Sequence, residues 1–104
     1  MTLNELQMNC VKTLPPYLTR GDETLVSLLG LNNEAGNLAG MYKKTLYEGA
    51  ELPQKAFVES LSEVIRYVAI AAHAVDVDLE SIMKHVAKDC KSKDESDAGD
   101  GERK

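Results

Sequence analysis

Hydrophobic side chains recur every three or four residues along most of the chain, which is the spacing of one face of an α-helix. The pattern predicts four helices. The first begins at Thr2, where a Thr-x-x-Glu capping box with Glu5 is possible, and ends at the Pro15–Pro16 pair. The apolar periodicity stops near Cys90, so residues 91–104 are predicted to form a disordered acidic tail.

The second predicted helix is long. Asp22 is expected to cap it, and its apolar positions continue to about Tyr47. It contains Gly30, Gly36 and Gly40, and each glycine costs roughly 1 kcal/mol relative to alanine inside a helix. Three tolerated glycines suggest that another helix approaches this one closely.

Two further helices complete the folded part. Pro53 is suited to the first position of the third helix, whose apolar stripe runs from Phe57 to Val75. Asp76 or Asp78 is expected to cap the fourth helix. The sequence therefore predicts an all-α bundle of about four helices.

Composition supports one small helical domain, predicted as residues 1–90. Hydrophobic residues make up 43% of the 104 residues, but the chain has no Trp and one Phe, so its core must be aliphatic. A chain of this size covers its apolar surface poorly, which favours a homodimer that pools the second and third helices of each copy.

The net charge and the two cysteines indicate which kind of partner and which cellular compartment to expect. The net charge of −5 argues against direct binding of nucleic acid and favours a basic protein partner. The sequence shows no secretory leader and no apolar run of membrane-spanning length, so a cytoplasmic location without membrane binding is expected. Both cysteines are expected to be free thiols in that reducing compartment.

Carboxylates on two apolar faces suggest possible chemistry. Glu34 falls between Leu31 and Leu38 at helical spacing, and Glu63 lies four residues before Tyr67 on the next helix. A buried carboxylate is costly unless it is paired. Carboxylates that face each other across a helical bundle are a common way to hold hard cations such as Mg²⁺. Pairing with Arg66, Lys43 or Lys44 is the structural alternative.

The segments around these residues resemble the two motifs of the MazG nucleotide pyrophosphohydrolase family. The stretch 29–37, Leu-Gly-Leu-Asn-Asn-Glu-Ala-Gly-Asn, with Lys43 and Lys44 after it, is similar to the first motif. The stretch 59–64, Glu-Ser-Leu-Ser-Glu-Val, is similar to the second. The resemblance covers about residues 1–90. It implies a MazG-like helical bundle, dimerisation and a Mg²⁺ site that positions a nucleoside triphosphate for hydrolysis between its α and β phosphates.

The metal-binding set that the resemblance implies is incomplete. Its four acidic positions match Glu34, Asn37, Ser60 and Glu63, so two of the four carboxylates are replaced by neutral groups. Substrate-assisting Asn and Lys positions of the fourth helix are expected to correspond to Val86 and Asp89. If pyrophosphohydrolase activity persists, Glu34 and Glu63 are the expected residual metal ligands. Lys43 and Lys44 are then the expected substrate contacts.

The expected function follows from these losses. We expect a non-catalytic, MazG-like acidic interaction or inhibitor protein without a cofactor and without a catalytic residue. Its partner is expected to be basic, plausibly a DNA- or RNA-binding protein that the acidic surface engages by nucleic-acid mimicry. One alternative is a weak or altered Mg²⁺-dependent nucleoside triphosphate pyrophosphohydrolase. Another is a regulatory subunit that associates with an active homologue.

Overall fold

The computed structural model describes the backbone of residues 1–100 and the side chains of residues 1–94. Within this part of the chain there are four helices and no strand, which confirms the predicted all-α bundle. The helices are α1 (Leu3–Val11), α2 (Arg20–Glu48), α3 (Gln54–Ala74) and α4 (Leu79–Asp100).

Capping boxes begin the first two helices. The Thr2 hydroxyl accepts a hydrogen bond from the Glu5 N–H at 3.0 Å, and the Glu5 carboxylate accepts one from the Thr2 N–H at 3.0 Å, as predicted. Thr19 and Asp22 repeat this arrangement. The prediction that Asp22 is the cap of α2 is therefore wrong, because Asp22 is the third residue of the helix and completes the box that Thr19 begins.

The turns between helices also differ in detail from the predicted ones. α1 ends at Val11, before the proline pair. α2 ends at Glu48 and is capped by Gly49, whose φ of 70° lies in the left-handed region that glycine enters without steric cost. The carboxylate of Asp78 accepts a hydrogen bond from the Ser81 N–H at 2.8 Å and so caps α4, whereas Asp76 occupies the preceding turn with a φ of 63°.

The fourth helix is longer than predicted. It continues to Asp100, ten residues beyond the expected end of the folded part at Cys90, so the first ten residues of the predicted tail are helical. The described side chains after Cys90 are exposed, and the ion pair of Lys93 with Asp89 at 2.9 Å is a local i,i+4 contact. Residues 101–104, the end of the predicted disordered tail, lie outside the described residues.

The core lies where α1, α3 and α4 meet. Its buried apolar residues are Cys10, Ala69, Ile70 and Leu79. Gln7 is buried among them, and its amide donates to the carbonyls of Ala69 at 3.1 Å and Val77 at 3.0 Å. Its carbonyl accepts from the N–H of Leu79, the first residue of α4, at 3.1 Å. One fully paired side chain therefore ties three helices together.

The second and third helices form an antiparallel hairpin. The residues between them, 49–53, are too few for any other arrangement. Gly30 of α2 lies directly against the ring of Tyr67 on α3, because a Cβ atom at Gly30 would fall within 2.5–2.7 Å of three ring carbons. This contact explains one of the three glycines and sets the register of the hairpin, whereas no atom lies within 4 Å of a Cβ built at Gly36 or Gly40.

Much of the predicted apolar surface of the hairpin is exposed in the single chain. On α2, Leu31, Leu38 and Met41 are half-buried against α3, but other leucines of the predicted stripe are exposed. On α3, Leu61 and Ile65 were expected to be buried and are almost half exposed. The reason is geometric: α1 and α4 pack on α3, so none of the described helices covers one broad face of the α2–α3 hairpin.

Candidate functional site

The register of the α2–α3 hairpin brings the four predicted site positions to one region. Gly30 lies opposite Tyr67, and one helical turn further along each antiparallel helix places Glu34 at the level of Glu63. The next turn places Asn37 at the level of Ser60. Residues that are distant in the sequence, and that the resemblance assigns to one metal site, therefore lie together on the hairpin.

The α2 half of this site has little charge. Glu34 is half-buried, and its carboxylate accepts a hydrogen bond from the Asn37 amide at 3.3 Å. Where the family pattern has a second carboxylate, Asn37 therefore acts as a donor to the first one. On α3, Ser60 is buried and contributes a hydroxyl instead of a charge.

On the α3 side of the site, the guanidinium of Arg66 is bound to Glu63. The guanidinium of Arg66 binds the Glu63 carboxylate with both Nε and Nη2, and the shortest of these contacts is 2.5 Å. Its Nη1 donates to the Thr13 hydroxyl at 2.9 Å, and its Cζ atom lies 4.7 Å from the centre of the Tyr67 ring. These contacts hold the guanidinium on three sides, in the loop after α1 and on α3.

Electrostatics at this pair favour the charged forms of both groups. The hydrogen bonds from Arg66 lower the pKa of the Glu63 carboxyl below its ordinary value, against a smaller effect of burial. The same bonds raise the pKa of Arg66. Glu63 is thus a carboxylate at neutral pH whose charge is already neutralised within the protein.

This donor set does not fit a catalytic magnesium site. Mg²⁺ binds through carboxylates that are free to coordinate it, supplemented by water and substrate phosphates. Here one carboxylate, Glu34, is shared with an amide, and the other, Glu63, is held by a guanidinium that would have to leave before a cation could approach. Asn37 and Ser60 add no countercharge. No group of three His, Cys, Asp or Glu side chains suited to a metal ion occurs among the described residues.

The predicted substrate contacts are dispersed. Lys43 and Lys44 are exposed on α2. Lys44 lines a cavity of about 460 Å³ with Asn37 beside the α2–α3 loop, but the carboxylate of Glu51 lines the same cavity and would repel a phosphate.

The corresponding positions on the fourth helix do not join this cavity. Val86 is exposed, and Asp89 is exposed and paired with Lys93 on the surface of α4. α4 packs on α1 and α3 rather than on the α2 surface that carries the lysines.

One feature of the fold could not be read from the sequence. The first turn of α4 contacts that of α1, since the Glu80 N–H donates to the Asn4 side chain at 3.1 Å. Arg20, the first residue of α2, donates to the His73 carbonyl at the end of α3 and pairs with Asp76 at 3.4 Å. Three helix N-termini and one C-terminus therefore meet at the same end of the bundle.

Six carboxylates collect at this end, which we call the acidic pole. They are Glu5, Asp22, Glu23, Asp76, Asp78 and Glu80. Arg20 lies among them, and Lys84 pairs with Glu80 one helical turn away. Acidic residues favour helix N-termini because of the helix dipole, which explains four of the six locally. The sequence signal is a Thr or Asp cap followed by an acidic first turn, and only the packing of the helices shows that these turns share one surface.

No protein-family model, curated protein or solved structure shows significant similarity to this chain. The resemblance to MazG proteins therefore rests on the motif residues alone. None of the helices in the described part of the chain combines the length and the apolar character that crossing a membrane requires.

Proposed function

We propose that this protein is a non-catalytic helical interaction protein, a degenerate relative of MazG pyrophosphohydrolases, that binds a basic macromolecule through its acidic surface. The observation that carries the proposal is the Arg66–Glu63 contact. A cation supplied by the protein occupies the carboxylate that a catalytic metal would need, and a second protein side chain, Thr13, holds it there.

The loss of catalysis has a physical basis. Hydrolysis of a triphosphate requires stabilisation of the charge that develops on the phosphates, which metal ions usually provide. Two carboxylates, one of them bound to Arg66, leave little negative charge with which to retain such ions. The exposed lysines on α2 are left without a metal to organise the substrate around them.

Charge distribution supports a basic partner. Residues 1–90 contain twelve acidic side chains and eight Lys or Arg, which leaves the predicted domain near −4. Six of those twelve carboxylates form the acidic pole, where Arg20 lies beside Asp76 and beside Glu23, whose side chain is largely buried. Opposite charge accelerates encounter between proteins and is screened over roughly 8 Å at physiological salt, so the association should weaken steeply as salt is added. A DNA- or RNA-binding protein has the basic surface that such a pole would occupy.

Two assays test the proposal separately. Release of pyrophosphate from a panel of nucleoside triphosphates with Mg²⁺ should be negligible for the wild type and for Glu34→Ala. Robust turnover that Glu34→Ala abolishes would overturn the non-catalytic assignment. The alternative, a weak pyrophosphohydrolase, would then stand, favoured by the shared level of Glu34 and Glu63 and by the cavity beside Asn37.

The partner is tested by capture from cell extract with matched charge variants. The double variant Asp76→Asn, Glu80→Gln removes two charges from the acidic pole, whereas Glu48→Gln, Glu59→Gln removes two exposed charges outside it. We expect the first pair to weaken capture of a basic protein several-fold and the second to change it little. Equal effects, or capture that salt does not alter, would refute binding through the acidic pole.

A further inference from the structure

An apolar groove lies between α2 and α4. In the described part of the chain both helices pack on α3 but do not contact each other, so a strip of α3 between them is left open. The cavity along this strip has a volume of about 340 Å³, and none of the described residues that line it is charged. Leu28 and Leu31 of α2 form one wall, Ile82 of α4 forms the other, and Val68, Ala72 and Val75 of α3 form the floor.

The floor of the groove continues along α3 beyond the cavity. Its residues follow one another at alternate steps of four and three, in the order Leu61, Ile65, Val68, Ala72 and Val75. This is the spacing with which one helix presents a seam to a second helix. Both ends of the row are about half exposed, at Leu61 and Ile65 and at Val75. The row spans 14 residue steps, or about 21 Å, so it offers an apolar seam to a helix of about four turns.

The shape of the groove fits a helix better than a small ligand. Pockets for small molecules enclose roughly 300–1,000 Å³ and bury most of the ligand surface. This groove is at the lower limit of that range and continues as an open row along α3. An amphipathic helix binds to such a surface by placing side chains three and four positions apart into the groove. Contiguous apolar surface that is open to solvent marks a site of this kind.

One end of the groove opens onto the acidic pole. Asp76 directly follows Val75 of the floor, and Asp78 and Glu80 lie within four residues of Ile82, at the start of the helix that forms one wall. All three carboxylates are exposed. Arg20 and Lys84 are the cations at the pole, so its six carboxylates leave a net charge near −4. A bound helix therefore meets an apolar surface along its length and negative charge at one end.

A second copy of this chain lacks the charge that the groove favours. The homodimer expected from the sequence would occupy part of the same hairpin surface. However, none of the four described helices has more Lys and Arg than Asp and Glu. A helix of a second copy would therefore bring no excess of positive charge to the acidic pole, whereas a cationic helix is attracted to it. Charge complementarity thus favours a basic partner of different sequence.

We propose that the groove binds an amphipathic helix of a partner protein, with aliphatic side chains on the α3 floor and Lys or Arg residues at the end that lies over the acidic pole. The inference rests on the proposed function, because the partner is the basic macromolecule proposed there, and it adds the structural class of the segment that binds. The apolar contact supplies affinity along the groove, and the charge at one end fixes the direction in which the helix lies.

A fluorescent synthetic peptide serves as the probe for this groove. It has about 18 residues, enough to cover the apolar row and extend over the pole, with leucines at alternate steps of three and four and lysines at one end. A control peptide has the same composition, but its leucines are distributed around the whole helix. Fluorescence anisotropy should show saturable binding of the first peptide that weakens as salt is added. The control peptide, which has the same charge, should bind at least about tenfold more weakly.

Matched variants of the protein locate the bound peptide. Leu28→Gln removes an apolar side chain from the wall of the groove, and Leu29→Gln makes the same change at an exposed neighbour outside the lining. Leu28→Gln should weaken peptide binding at least about tenfold, because a leucine that is buried on binding is lost, whereas Leu29→Gln should leave it almost unchanged. Circular dichroism checks that both variants remain helical. Equal effects of the two substitutions would overturn the groove as the binding site.

Charge variants test the cationic end of the bound helix. The double variant Asp76→Asn, Glu80→Gln removes two carboxylates beside the groove and should weaken peptide binding several-fold. Glu48→Gln, Glu59→Gln removes two exposed carboxylates elsewhere and should change it little. Binding that neither salt nor the first pair alters would refute the cationic class of partner.

The remaining outcomes separate this proposal from the proposed function. Capture of a basic protein that depends on the acidic pole but not on Leu28 would refute the groove and leave the proposed function standing. Peptide binding that depends on Leu28 and on the pole, without capture of any basic protein, would support the groove and count against the proposed function. Sedimentation equilibrium with and without the peptide tests the second copy as occupant. A wild type that self-associates and excludes the peptide would overturn the proposal.

Discussion

Adding one methyl group at Gly30 tests the contact that sets the hairpin register. The Cβ atom of Gly30→Ala would lie 2.5–2.7 Å from ring carbons of Tyr67, about 1 Å closer than carbon atoms normally approach. Tyr67 cannot move freely, because its ring packs against the core cluster and under the Arg66 guanidinium. Overpacking of this kind costs about 1–3 kcal/mol.

Gly40→Ala is the matched control. It makes the same substitution in the same helix, where no atom lies within 4 Å of the new Cβ. Both variants gain about 1 kcal/mol of helix propensity. That gain cancels when they are compared, so Gly40→Ala should be the more stable by about 1–3 kcal/mol. For a chain of this length the difference corresponds to roughly 4–20 °C in Tm.

Thermal unfolding followed by circular dichroism measures this difference, with all variants at the same protein concentration because any self-association would make Tm depend on it. Gly40→Ala should unfold above the wild type and Gly30→Ala below Gly40→Ala. If the two variants unfold at the same temperature, the Gly30–Tyr67 contact does not set the register, and the alignment of Glu34 with Glu63 loses its support.

Two further perturbations have defined outcomes. Gln7→Leu leaves the buried Leu79 N–H without its acceptor and should lower the free energy of unfolding by about 2–4 kcal/mol in urea titrations; a loss below 1 kcal/mol would contradict the role of the amide. Arg66→Ala should raise the pKa of Glu63 towards its ordinary value, as measured by NMR titration. The ionised Glu63 carboxylate stabilises the folded wild type above its unfolded-state pKa, and this stabilisation is lost on acidification because the folded-state pKa is lowered. The variant lacks this contribution, so its free energy of unfolding should fall less than that of the wild type below about pH 5. Equal losses in the two proteins would contradict the assignment.

Local structure was largely predictable from the sequence. The Thr2–Glu5 box, the glycine that ends α2 and the Asp78 cap depend on residues three to five positions apart, and such interactions form from neighbouring side chains whatever the rest of the chain does. The errors at this level have the same origin. Asp22 follows Thr19 by three residues and both residue types are good caps, so either could begin the helix until its boundary was known.

The sequence selected the candidate site positions, which stay a prediction, but it did not predict their contacts. The motif spacing selected Glu34 and Glu63, and the hairpin register does place them at one level. The sequence also placed Arg66 within reach of Glu63. Two further groups hold the Arg66 guanidinium against that carboxylate: the hydroxyl of Thr13, which is 53 positions away, and the neighbouring ring of Tyr67. The contact with Thr13 is long-range and leaves no periodic signal in the chain.

The sequence by itself determined the four amphipathic helices, their caps and the surplus of negative charge, because each is a property of residues within a few turns of one another. Only the tertiary structure decided which apolar faces are buried and which remain open. A helix with apolar side chains around much of its circumference can pack on any of its sides, and the choice depends on the positions of the other helices. α1 and α4 both pack on α3, which leaves one broad face of the α2–α3 hairpin without another described helix over it. The same packing gathers the acidic first turns of three helices into one pole, since helix ends that are far apart in the sequence become neighbours only when the bundle closes.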